Sequence, residues 1–194
     1  MKKLLATAFL TLSLTVAPSA SAYEIQAKLD RAMVEYNKNE IGKAANTLTE
    51  VSDYLRGIKA AALSKFLPDA PEGWTAETAS SSGGSLMGGS SRSERAYTKG
   101  EEKTTVIFMT DNKLVASMLS MLSQASETNS EHLKMHKGFI YTLDKVENSD
   151  LSVFNLYVSE NLVVSVKSKD LTEELATKFV DKIDIAKLKE EADR

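Results

Sequence analysis

The chain has only two histidines, and they stand four residues apart in Glu131-His132-Leu133-Lys134-Met135-His136. Imidazole suits zinc, and imidazole beside thioether sulfur suits copper. On a helix, His132 and His136 share a face and can chelate one ion. In an extended strand, His132, Lys134 and His136 share one face and Met135 points the other way. Met109, Met118 and Met121 would enlarge a soft ligand set, yet they fall in apolar stripes, where methionine serves as core filler. His132 and His136 are thus the metal candidates, set against a plainer reading as solvated residues at the start of a strand. No other cofactor is expected.

Serine is the other chemistry on offer, concentrated in SSSGGSLMGGSSRSER from Ser80 to Arg95. A nucleophile elbow needs glycine two residues before and two after its serine. Ser85 has Gly83 before it but Met87 after it, and Ser90 has Gly88 before it but Arg92 after it. A phosphate-binding loop needs a lysine after its second glycine, and none follows Gly88-Gly89. The stretch therefore reads as a mobile connection over Ser80–Arg92. Leu86 and Met87 are its oddity, because a pure linker has no use for two apolar residues at its tip. They are expected to fold back onto the domain or to contact a partner. Trp74, the single tryptophan, is expected to anchor the first strand, with ligand stacking as the alternative.

Composition removes several classes. The chain has 194 residues, no cysteine and a net charge of −3. Disulfides, thiol catalysis and thiolate metal sites are excluded. A mildly acidic chain without a basic block has no footprint for nucleic acid. Residues 1–22, MKKLLATAFLTLSLTVAPSASA, have the positive start, short apolar run and Ala-Ser-Ala end of a cleavable secretory signal. The apolar run is too short for a bilayer core of about 30 Å, which needs about 20 apolar residues. Cleavage after Ala22 is expected, with a periplasmic destination and no transmembrane anchor in the mature form.

Positioning elements follow from periodicity. Residues 24–65 read as two helices, with Ile25, Leu29, Met33 and Tyr36 on one stripe and Ile41, Ala44, Leu48, Val51, Leu55 and Ile58 on the next. Asn37-Lys38-Asn39 separates them, and Pro68 ends the second. This αα-hairpin resembles one tetratricopeptide unit, but no second copy follows, and it is expected to pack on the next domain. Strands are expected over Trp74–Ala79, Glu94–Lys99 and Thr104–Met109, then a helix capped by Asp111 and carrying Leu114, Val115, Met118, Leu119 and Leu122. Two extended segments flank Gly138. Leu151–Val158 and Leu162–Val166 form a hairpin, and a last helix starts near Leu171 with Asp170 as its cap. The end, KLKEEADR, is charged and expected to fray.

Several segments recur in an order seen elsewhere: FLPDAPEGWTAE, the Gly/Ser run, RAYTKGEEKTTVIFM, NLYVSENLVVSVKS and KIDIAKL. Over residues 67–188 this resembles small exported bacterial proteins of uncharacterised function with a PsbP-like α/β/α sandwich. That resemblance implies an accessory or binding role and carries over no site residue. The expected organisation is a signal peptide at 1–22, a helical hairpin at 23–66, an α+β sandwich at 67–188 and a charged tail at 189–194. The fold class is α+β, an N-terminal αα-hairpin followed by an antiparallel sheet with helices packed on it. The expected function is a soluble periplasmic accessory or binding protein, non-enzymatic, with a periplasmic protein partner or small ligand. Its alternatives are a periplasmic copper or zinc protein using His132 and His136 and, last, an enzyme of unspecified type.

Overall fold

The computed structural model describes residues 20–84, 89–128 and 134–194. It forms two compact units, the first ending at Thr47 and the second running Leu48–Arg194. Helix α1 spans Ala20–Asn37 and α2 spans Ile41–Leu63. Asn39 joins them with a φ of 61°, and its N–H reaches the Tyr36 carbonyl at 2.8 Å. Asparagine tolerates this left-handed geometry, so the asparagine-rich interruption is the turn of an αα-hairpin.

Within the first unit the buried face of α1 is not the expected stripe. Ala32 and Glu35 are buried, while Leu29, Met33 and Tyr36 are exposed. Glu35 accepts from Arg31 Nε at 2.9 Å and from the buried Thr47 hydroxyl at 2.7 Å. The Thr47 hydroxyl is the main cause that holds this carboxyl below its ordinary value. A polar anchor decides which face of α1 turns inward, and apolar spacing does not reveal it.

The second unit is built on one antiparallel sheet. Its strands are β1 Thr75–Ala76, β2 Ser80–Gly84, β3 Ser90–Lys99, β4 Glu102–Thr110, β5 Lys134–His136, β6 Phe139–Lys145, β7 Leu151–Ser159 and β8 Leu162–Lys169. The order is β1-β3-β4-β8-β7-β6-β5, with β2 also paired to β3. Helix α3, Lys113–Thr128, lies between β4 and β5 in the chain, and α4, Glu173–Val180, and α5, Ile185–Ala192, follow β8.

Alternation assigns the two faces. Val106 pairs with Val166, which pairs with Phe154, and all three are fully buried. With Phe108, Leu156 and Val164 they meet Phe179, Val180 and Leu188 of α4 and α5, and Leu63 at the end of α2. Each such apolar side chain contributes roughly 1.5–3 kcal/mol by leaving water. The opposite face packs Tyr157 and Val163 against Val115, Leu119 and Leu122 of α3. Helices therefore cover both faces, and the class is α+β.

Several boundaries differ from expectation for local reasons. Leu67 takes ψ of 130° ahead of Pro68, which ends the helical run. Only Thr75–Ala76 of the first expected strand is paired, and the supposed loop supplies β2 and the start of β3. Lys137 and Gly138 both have positive φ, at 50° and 85°, which suits a tight hairpin between β5 and β6. The last helix is two helices. Thr172, not Asp170, caps α4 by accepting from Leu175 N at 3.2 Å, and Asp184 caps α5 by accepting from Lys187 N at 3.1 Å. The stretch read as a fraying end lies mostly in α5, whose Leu188 and Ala192 are buried.

Candidate functional site

The Ser/Gly run is a docking surface for α2. A Cβ on Gly83 would stand 2.3 Å from the Gly57 nitrogen, and one on Gly89 would stand 2.9 Å from Arg56 Nη2. Gly89 also has a φ of 81°, which side chains rarely adopt. The serines serve the helix end. Ser81 Oγ and the buried Ser93 Oγ both donate to the Ala60 carbonyl, one of the last four of α2 and so without a partner inside the helix. Small size and a hydroxyl that reaches the helix end account for this composition at Gly83, Ser81 and Ser93. Leu86 and Met87 lie outside the described residues, as does Ser85. Ser90 is buried at the start of β3.

Immediately after β4 stands Asp111, with a φ of 62°. It does not cap α3, which begins at Lys113 after Asn112. Its Oδ1 accepts from Lys59 Nζ at 3.0 Å, and its Oδ2 accepts from Ser91 Oγ and Thr110 Oγ1, each at 3.1 Å. Ser91 and Thr110 are fully buried. Asp111 thus joins α2, β3 and β4 at one carboxylate. The serine in this group donates to a carboxylate that already faces an ammonium, and its burial keeps it from attacking a substrate.

Lys59 and Asp111 form one wall of a cleft of about 530 Å3. Leu55, Ile58 and Ala62 of α2 supply its apolar lining, and Glu191 and Arg194 close it from the α5 end. Leu55 is 48% exposed and Ile58 is 45% exposed. The cations around it are already matched: Arg56 to Asp53 at 2.9 Å, and Arg194 to Glu190 at 2.7 Å and Glu191 at 3.1 Å. An apolar strip framed by neutralised charges is suited to holding a partner's apolar segment, with the charged rim setting orientation.

The metal candidates fare differently. His132 lies outside the described residues. His136 is on β5, extended as the alternating reading required, with Met135 on the other face and exposed. Its Nε2 lies 2.8 Å from Asp181 Oδ1, which Lys137 Nζ also meets at 2.8 Å. That lysine is the main reason the Asp181 carboxyl sits below its ordinary value. No group of three histidine, aspartate or glutamate side chains stands ready for an ion among the described residues. The methionines are not all filler. Met109 packs in the α3 cluster, but Met118 and Met121 are exposed, because Val115, Leu119 and Leu122 turn the other side of α3 to the sheet.

Trp74 is partly buried and meets Phe179 edge-on at 5.3 Å. No helix among the described residues is long and apolar enough to cross a membrane. Together these features define an α+β domain with a surface cleft beside a docked helix. No family model, curated protein or solved structure matches the chain.

The Asp111 junction was missed because an aspartate at a strand end reads locally as a helix cap. Its real partners come from 20 and 52 residues away. A lysine on the helix and a buried serine on the strand give no joint signal in sequence.

Proposed function

We propose that this protein is an exported accessory protein of the periplasm that holds a partner by its surface and catalyses no reaction. The observation that carries this reading is the half-exposed pair Leu55 and Ile58 in the cleft between α2 and α5. A partner with an apolar segment would gain roughly 25 cal/mol for each Å2 of that strip it covers. The leader-like residues 1–22 support export, and the likeness to PsbP-like sandwiches supports an accessory role. Leu86 and Met87 stay in the proposal as a second apolar contact.

Envelope crosslinking followed by identification of the captured species tests it. The doubly substituted Leu55→Asp, Ile58→Asp chain should lose a species that the unsubstituted chain captures, with its thermal unfolding midpoint unchanged. An identical set of captured species in a folded variant removes the cleft from the function. Leu86→Ser with Met87→Ser, run alongside, assigns or dismisses the second contact by the same readout.

A further inference from the structure

A second groove, of about 610 Å3, lies in the same unit between the turn Pro71–Trp74, the β3–β4 turn and α4. Its position is fixed by the core. Phe179 is fully buried, packs edge-on to Trp74 at 5.3 Å and tilts against Tyr97 at 4.9 Å, so the indole is held from behind. Gly73, with a φ of 79°, turns the chain into the tryptophan, and the stem of Lys99 passes over it, 3.7 Å from where a Cβ would stand. Leu175 of α4 completes the apolar side.

The polar groups around this ring are of two kinds. Lys99, Lys178 and Lys182 bring ammonium groups, and Glu72 and Glu102 bring carboxylates. Lys178 is matched by Glu174 at 2.9 Å. Lys99 and Lys182 have no carboxylate within ion-pair distance among the described residues. The Trp74 indole N–H likewise has no acceptor among them. Free ammonium groups and an indole N–H call for a ligand acid group. The two carboxylates can only accept, so they call for donors on the same ligand, which hydroxyls supply. The flat face of a tryptophan calls for a ring with an apolar face.

We propose that this groove binds an acidic sugar, a hydroxylated ring bearing a carboxylate. Its ring lies on Trp74, its acid group meets Lys99 and Lys182, and its hydroxyls donate to Glu72 and Glu102. A neutral sugar leaves the two ammonium groups unanswered, and an aryl acid leaves the two carboxylates without donors. The site is separate from the α2 cleft, so either can fail without the other.

Trp74 is the only tryptophan, so its emission reports this groove alone. The purified protein is titrated with glucuronate, with glucose as the neutral ring and benzoate as the acid without hydroxyls. Saturable change with glucuronate is expected, with glucose and benzoate at least about tenfold weaker. Lys99→Ala with Lys182→Ala should weaken glucuronate by about tenfold or more, and both lysines are exposed, so folding is kept. Absence of a saturable change with glucuronate overturns the proposal. So does equal affinity in the lysine variant, or tighter binding of benzoate or glucose than of glucuronate.

Discussion

Gly83 lies against Gly57 so closely that a methyl group on Gly83 would stand 2.3 Å from the Gly57 nitrogen. The contact sets how deeply α2 sits on β2. Gly83→Ala must push the helix away and should cost about 1–3 kcal/mol. Gly57→Ala should do the reverse. A Cβ there meets nothing within 4 Å, and alanine improves a helix interior by about 1 kcal/mol. Urea unfolding of the two variants gives the comparison, and opposite signs are the expected result. A Gly83→Ala chain as stable as its parent would mean that α2 does not rest on this strand.

At Asp111 both backbone and side chain matter. Asp111→Ala removes the acceptor of Lys59, Ser91 and Thr110, leaves two buried hydroxyls without it, and should cost about 1–3 kcal/mol. Asp111→Gly loses the same bonds but no longer holds a side chain at a φ of 62°, so it should recover part of that loss. Lys59→Met should cost less than about 1 kcal/mol, since its ion pair is partly exposed. Denaturant midpoints for the three should rank Ala lowest and Met highest.

Acid should unfold the protein through carboxyls held below their ordinary values. Glu35 is lowered chiefly by the Thr47 hydroxyl, Glu173 chiefly by Tyr141 and Asp181 chiefly by Lys137. Each binds protons more weakly folded than unfolded, so its contribution is full above the unfolded value, 4.5 for glutamate. It is lost as pH falls through the lower folded value. Thermal unfolding should therefore be flat around neutral pH and fall steeply below about pH 4. Glu35→Gln should make that fall shallower, and an unchanged slope would remove Glu35 from the account.

Alkali should act through Tyr97, whose phenol is pushed up to about 12 chiefly by burial. Its hydroxyl donates to the Pro68 carbonyl at 2.6 Å, which ties β3 to the turn that follows α2. The folded state binds this proton more tightly, so the stabilisation is present below the unfolded value of 10 and is lost as pH rises through about 12. Tyr97→Phe should cost about 1 kcal/mol. Ultraviolet titration should then show one fewer late-ionising phenol.

Much of the fold was legible in the sequence where a residue's fate depends on near neighbours. Pro68 stopped a helix, Gly138 separated two extended segments, and the doubly apolar Val106-Ile107-Phe108 run marked a central strand with cover on both faces. Reading failed where long-range partners decide. Ser80–Gly84 looked like slack because serine and glycine are poor strand formers, and only the docked helix explains their size. Leu29, Met33 and Tyr36 made a convincing inward stripe until Glu35, tied to Thr47, took the inward side. At the candidate site Trp74 was visible as a single residue, but the lysines around it come from β3 and the α4 region, and no spacing links them.

The sheet's outer margins carry one more consequence. On one side β1 and β2 share the flank of β3 as separate pieces of two and five residues, and on the other β5 is three residues long. Among the described residues a stray strand from another molecule thus finds only short rows of open backbone groups to copy, such as residues 142–145 of β6 beyond the reach of β5. The five-residue piece is all serine and glycine, a composition that zips poorly into fibrils. The valine-bearing strands β7 and β8 are each flanked on both sides, so they are not the ones a neighbouring molecule would meet at the rim.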